Sequence, residues 1–331
     1  MTACLTDPNI LEALQRASAD QLHLLKAPAE TWQPADLTGE LTGGSWQDAV
    51  LEIRREAEPL PADALACLAG SLITEEALPS YQAWLNRHLE FRDETGTDTT
   101  PWAQWTRAWS AEENRHGDVL NRYLYLSGRA DMRAVELTIH HLIRNGFNLG
   151  SGSHVYKSIV YASFQERATR ISHRNMGLLA HEHGAKKLGR ICALIAGDEA
   201  RHEQAYQNLF KVCLSADPDQ AVTAMGEMLL SKIVMPARLM SDGTGRDLFS
   251  DYSILAQRLG IYTTRDYAET LLFLAETWGL AKLRGLSAEA SAALEKIFKT
   301  AEKYQRKSAQ IAEALGSVEV QAFSWIRPTP P

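Results

Sequence analysis

Apolar residues recur along this chain at steps of three and four, the spacing of one face of an α-helix. The pattern predicts helices across 102–126, 131–146, 155–175, 179–197 and on to 214, 218–235, 251–259 and 264–279. A further helical stretch reads "PADALACLAGSLITEEALPSYQAWLNRHLEFRD". No segment alternates with the period of a strand. Residues 1–60 mix short helical pieces with the connector "PAETWQPADLTGELTGGSW", and 300–331 is mixed, closing with "QAFSWIRPTPP". Gly and Pro punctuate the helices in "LSGRADM", "GFNLGSGSH", "ADPDQ" and "SDGTGRD",. The expected class is all-α: a single domain over 1–331, with a less regular N-terminal segment at 1–60, a helical core at 61–280 and a C-terminal segment at 281–331.

Two of the apolar stripes are interrupted by an acid and a histidine. In 102–126 one face reads Trp102, Trp105, Trp109, Glu113, His116, Leu120, Leu124. In the later helix it reads Leu188, Ile191, Ile195, Glu199, His202, Tyr206, Leu209, Cys213. The surrounding phrases, "SAEENRHGDVL" and "AGDEARHEQAY", look like a weak internal repeat. A third helix places Ile159, Ala162, Glu166, Thr169 and His173 on one face. A fourth gives Leu65, Leu68 and Leu72, then Glu75 or Glu76, between which periodicity does not choose. Pro79 clashes with the carbonyl four residues back, that of Glu75, and predicts a kink there,.

Burying a lone carboxylate is costly, and burying four requires compensating positive charge. Neither of the two Glu/His stripes contains a lysine or arginine. Two Fe(II) ions would match four glutamates in charge, with neutral imidazoles completing the coordination. A single Glu-x-x-His is weak evidence, because chance supplies one in a chain of this length. The whole order is more specific: Glu, Glu-x-x-His, Glu, Glu-x-x-His, all on buried faces. It matches the carboxylate-bridged di-iron or di-manganese pattern of ferritin-like bundles. The candidate metal ligands are Glu113, His116, Glu166, Glu199 and His202, with Glu75 or Glu76 as the sixth.

Composition narrows the field. The chain has 331 residues, 45% hydrophobic, enough for a large core, and a net charge of −7 that gives no sign of general nucleic-acid binding,. The cysteines, Cys4, Cys67, Cys192 and Cys213, lack the spacing of a cluster or zinc knuckle,. The N-terminus lacks a basic and apolar secretory pattern. No run approaches the roughly 18 apolar residues of a membrane span. A cytoplasmic protein with reduced thiols is expected.

The stretches "ITEEALPSYQ", "RDETGTDTTPWAQWTRAWSAEENRHGDVLNRYLYLSGRADM", "YASFQERATRISHRN", "AGDEARHEQAY", "MPARLMSDG", "AQRLGIYTTRDYA" and "FSWI" resemble the soluble acyl-acyl-carrier-protein desaturases. The resemblance spans about residues 25–326. It implies a ferritin-like bundle with extra helices, two Fe(2+) ions per chain in a central four-helix core, and Glu75 as the first ligand. It implies O2-dependent insertion of a cis double bond into an acyl chain carried on acyl carrier protein. Reducing O2 takes four electrons, of which the substrate supplies two. The chain has no G-x-G-x-x-G phosphate loop and no cluster cysteines, which fits an external ferredoxin-type donor. The resemblance further implies a homodimer. It suggests that Asp198 serves His116, that Trp32 lies beyond it as an electron path, and that Thr169 meets iron-bound oxygen. By internal symmetry Glu112 serves His202.

Each of these assignments has a plainer reading. Trp32, and the run Trp102, Trp105, Trp109, can be ordinary packing. Thr169 can bond back to its own helix. Lys232, Arg238 and Arg246 are candidates for meeting the acidic carrier protein, against a default of solvated surface. Arg238 replaces the histidine usual in that motif. "HLEFRDE" and "GFNLGSGSHVYKSIV" depart from the plant members of the family and leave acyl-chain length and double-bond position open. Among rival functions, a radical-generating ribonucleotide reductase subunit would have tyrosine where this chain has Leu120. Iron-storage proteins are much shorter. A di-iron hydroxylase or oxidase on another acyl thioester remains the nearest alternative.

Overall fold

The structure is a computed structural model and describes residues 7–39, 43–88, 92–152, 154–230 and 235–327. Its α-helices among these residues are α1 (Pro8–Gln21), α2 (Pro34–Thr38), α3 (Trp46–Ala57), α4 (Ala62–Glu75), α5 (Leu78–Leu85), α6 (Pro101–Ser127) and α7 (Met132–Asn145). They continue with α8 (Val155–Glu182), α9 (Lys186–Ala216), α10 (Pro218–Leu230), α11 (Leu248–Arg258), α12 (Thr264–Thr277) and α13 (Ala288–Gly316). The only β pairing among the described residues is a bridge between Ala130 and Ile326. The all-α expectation holds.

Local chemistry sets the helix ends. Pro101 opens α6, where a missing N–H costs nothing,. Gly128 closes it in the left-handed region at φ 70°,. Asp131 caps α7 by accepting from the Ala134 N–H,. Pro79 acts differently from the predicted kink: the helix ends at Glu75, and Pro79 sits in the first turn of a new helix, α5. There its ring has no preceding helical carbonyl to strike.

The α8–α9 boundary also differs from the sequence pattern, which breaks near 176–178. Gly177 lies inside α8, where α9 packs close against it. A Cβ on Gly177 would stand 3.2 Å from the Cys192 Cβ and 3.3 Å from the Gly189 carbonyl. The real turn uses Gly184 at φ 78°,. In the C-terminal segment, α13 is regular as far as Gly316. Its buried stripe consists of Ala290, Ile297 and Ala301 under a dense cover of charge, a weak periodic signal. It gains order by packing on α10 and α12. The tail beyond it docks on α7, where the Trp325 Nε1–H donates to Thr138 Oγ1 at 2.9 Å.

Helices α4, α6, α8 and α9 form the centre. α8 runs along α9, α4 packs on α6, and α6 touches α9. Two apolar clusters fill the interior. One takes Trp102, Trp105, Trp109, Phe164, Ala168, Tyr206 and Phe210. The other takes Leu72, Val119, Leu120, Met176, Ile191 and Ile195. The clusters change over between 109 and 119 in α6, 168 and 176 in α8, and 195 and 205 in α9. A polar layer occupies that seam, and every predicted metal ligand lies in it or at its edge.

Gly70 permits a close approach of α11. A Cβ at this position would stand 2.3 Å from the Tyr252 ring. Gly70→Ala is expected to destabilise the fold by about 1–3 kcal/mol through overpacking. A denaturant midpoint unchanged from wild type would count against this packing.

Candidate metal centre

Four helices deliver one carboxylate each to the seam. Glu75 is the last residue of α4, Glu113 lies in α6, Glu166 in α8 and Glu199 in α9. His116 and His202 follow their acids by one helical turn and point inward beside them,. All six side chains are buried. Glu76, the rejected neighbour of Glu75, caps the end of α4 beside Gly117.

The donor atoms fall into two overlapping groups, Glu75/Glu113/His116/Glu199 and Glu113/Glu166/Glu199/His202, each within 4.8 Å. Glu113 and Glu199 belong to both. Glu113 turns Oε1 to His202 Nδ1 at 2.8 Å and Oε2 to His116 Nδ1 at 3.3 Å. Glu75 Oε2 lies 3.9 Å from His116 Nδ1, and Glu166 Oε2 lies 3.6 Å from His202 Nδ1. Glu113 Oε1 and both Nδ1 atoms are buried, and despite the short Glu113–His202 distance none sits in good hydrogen-bond geometry. Buried polar atoms are rarely left unpaired. These three converge on the cage, as ligand atoms would. Two shared carboxylates, two terminal carboxylates and two imidazoles fit a pair of metal ions.

An outer ring orients the imidazoles. His116 Nε2 lies 3.5 Å from Asp198 Oδ2, and His202 Nε2 lies 3.1 Å from Glu112 Oε2. The Trp32 Nε1–H donates to Asp198 Oδ2 at 2.9 Å, and its ring stacks on His116 with centroids 6.1 Å apart. Arg115 bonds Asp198 at 3.1 Å, and Arg201 bonds Asp198 at 2.5 Å and Glu112 at 2.8 Å. Two guanidiniums therefore balance two outer carboxylates. They leave no positive charge for the four glutamates inside.

Electrostatics of the six side chains show the same deficit. Burial pushes Glu199 well above the carboxylate range, and Glu113 and Glu166 add to it. Burial would raise Glu113 too, but His116 and His202 on either side hold it low. Burial disfavours charged imidazoles, yet Glu113 and Asp198 lift His116 to about 9. The carboxylates around His202 lift it well above its ordinary value. Outside the cage, burial again opposes ionisation, but His202 and Arg201 bring Glu112 down to about 2.

A family model described as fatty acid desaturase matches residues 6–327. The chain belongs to that family. It is 45% identical over 318 residues to the chloroplastic stearoyl-[acyl-carrier-protein] 9-desaturase 5 of Oryza sativa subsp. japonica, covering 96% of this chain and 82% of that protein. It is 43% identical over 305 residues to the acyl-[acyl-carrier-protein] 6-desaturase of Thunbergia alata, covering 92% and 79%. The solved structure of DesA2 from Mycobacterium tuberculosis H37Rv, described as a candidate acyl-ACP desaturase, superposes with a TM-score of 0.58 at 20% identity. It covers 87% of this chain and 99% of that one, and supports the fold. The desaturase chain is thus an oxidoreductase of a di-iron family, with a buried Glu/His cluster able to hold metal. No helix among its described residues is long and apolar enough to cross a membrane.

A cavity of about 570 Å³ opens against the cage, with Glu75, Glu113, Glu166 and Glu199 in its wall. Tyr81, Trp84, Phe147 and Tyr161 line one part, and residues of α11 and α12 line another. Thr169 also lines it, but its hydroxyl donates back to the Gln165 and Glu166 carbonyls at 3.1 and 3.0 Å. Arg246 is committed within the chain. It is held by Asp251 and the Gln321 and Ala322 carbonyls, and stacks on Phe323. Arg238 stays exposed near Asp247 at 3.9 Å. Lys232, and residues 89–91 of "HLEFRDE", lie outside the described residues.

Sequence reasoning missed Arg115 and Arg201. Their signal was present, since "EENRH" and "DEARH" share the pattern acid-Glu-x-Arg-His. Three of those five residues sit off the apolar stripe and read as solvated. His173 stood on the predicted face without a role, and it reaches Glu75 Oε1 at 2.9 Å.

The raised value of His116 has a definite sign. Its proton is bound at neutral pH and must leave when a cation takes Nδ1. Metal uptake is therefore expected to release protons at neutral pH, with the His116 contribution to affinity rising toward pH about 9 and fading above it. Calorimetric titration of metal into the metal-free protein in buffers of different ionisation enthalpy measures this. Uptake without proton release would contradict it.

Proposed function

We propose that this chain introduces a cis double bond into a saturated acyl chain carried on acyl carrier protein, using O2 and two electrons from a separate ferredoxin-type donor. One observation carries the reading: the four carboxylates of the cage form part of the wall of an otherwise largely aromatic and apolar cavity. An acyl chain in that cavity lies beside the redox site. The relatives named as acyl-carrier-protein desaturases support the substrate class. Similar proteins are named for positions 9 and 6 at nearly equal identity, so cavity detail sets the bond position.

We assign two iron ions per chain. Glu75 and His116 would hold one and Glu166 and His202 the other, with Glu113 and Glu199, which belong to both donor groups, available to each. The iron pair supplies the O2 chemistry that removes hydrogen from unactivated methylenes. The protein's own groups do the rest. Asp198 and Glu112 fix both imidazoles with Nδ1 inward. Trp32, hydrogen-bonded to Asp198 and stacked on His116, gives electrons a path from the half-buried indole toward the cage. Apolar walls orient the chain and exclude water. Thr169, a residue of that wall, keeps lone pairs for a second hydrogen bond near the site. A homodimer and a cytoplasmic location complete the proposal, the latter in keeping with three buried free thiols.

Reduced ferredoxin, O2 and a panel of acyl-carrier-protein thioesters are expected to yield products two hydrogens lighter. Products heavier by one oxygen would favour the hydroxylase reading instead. Asp198→Asn is expected to slow reduction by ferredoxin at least about 10-fold, as loss of a metal-ligand hydrogen-bond partner does, with little change in KM for the acyl substrate. Thr169→Ala is expected to lower the product formed per O2 consumed. Unchanged coupling would remove its role.

A further inference from the structure

The two terminal carboxylates share a construction. Glu166 turns Oε2 toward His202 Nδ1, while its Oε1 accepts from the Trp109 Nε1–H at 3.2 Å. Glu75 turns Oε2 toward His116 Nδ1, while its Oε1 lies 2.9 Å from His173 Nε2. Each acid thus has one oxygen facing the cage and the other held by a ring N–H from a neighbouring helix. α6 holds the acid of α8 through Trp109, and α8 holds the acid of α4 through His173.

The geometry points to His173 as a positioning residue that holds the Glu75 carboxylate in place at the cage. A carboxylate oxygen can only accept, so Nε2 of His173 must carry the proton in this contact. Glu75 needs such a support more than the other acids. It is the final residue of α4, followed at once by the break before α5. Glu113, Glu166 and Glu199 lie within helices of 27 to 31 residues, where both flanks are packed. A side chain at a helix end has fewer neighbours to select its rotamer, and long carboxylate side chains lose substantial freedom on ordering. His173 is itself buried and sits two turns beyond Glu166 in α8. It reaches across the seam where the clusters change over. Without it, the Glu75 carboxylate is free to rotate into the adjoining cavity, whose wall both residues form.

The inference rests on the two-metal reading of this site and is tested by metal binding alone. Metal-free wild type, His173→Leu and His173→Gln are titrated with Co(II), with stoichiometry from equilibrium dialysis and site geometry from visible absorption. Wild type is expected to bind two ions. His173→Leu is expected to bind one of them about 10- to 100-fold more weakly, the usual effect of losing a ligand's hydrogen-bond partner, and the other as before. His173→Gln retains an N–H donor and is expected to recover most of that affinity. His173→Met replaces the leucine variant if leucine prevents folding. Two ions bound by the leucine or methionine variant as tightly as by wild type overturn the role of His173. So does a glutamine variant as weak as the leucine one. Failure of wild type to bind two ions overturns the metal reading itself.

Discussion

Four glutamates and two histidines share an interior whose remaining volume is filled by aromatic and aliphatic side chains. Unpaired, each carboxylate would cost several kcal/mol to bury. The arginines nearest to them are committed elsewhere: Arg115 and Arg201 balance Asp198 and Glu112, which themselves hold the outer nitrogens of the histidines. The inner group therefore needs a cation of its own. The crowding of the four carboxylates raises His116, His202 and Glu199 above their ordinary values.

The fold follows from that requirement as much as from apolar packing. Helices α6, α8 and α9 carry apolar stripes above and below a polar layer, so the core is two clusters joined by the cage. Lengths of 27 to 31 residues let α6, α8 and α9 span both clusters. The exception is α4, which ends at its ligand and hands over to α5. The cavity opens beside that break. The same discontinuity leaves space next to the cage and places Glu75 at a helix end.

Much of the site was legible because its residues occupy helical stripes. Glu113, His116, Glu166, Glu199 and His202 stand where leucines are expected, and that substitution is visible without coordinates. Glu75 and Glu76 were inseparable by period, because a helix end lets either residue turn inward. The paired arginines were hidden, since a charged residue beside a stripe reads as solvated until a second helix covers it. The α8–α9 boundary was misplaced because Gly177 marks close packing and Gly184 marks the turn, and sequence does not tell these uses of glycine apart. α13 was obscured by its alanines, which bury well but scarcely register as apolar period.

Anomalous diffraction from crystals of the iron-loaded protein, collected at the iron edge, tests the central claim most directly. Two peaks are expected inside the cage, each beside one histidine Nδ1 and both in contact with Glu113 and Glu199. A single peak, or iron bound only outside these six side chains, would contradict the account.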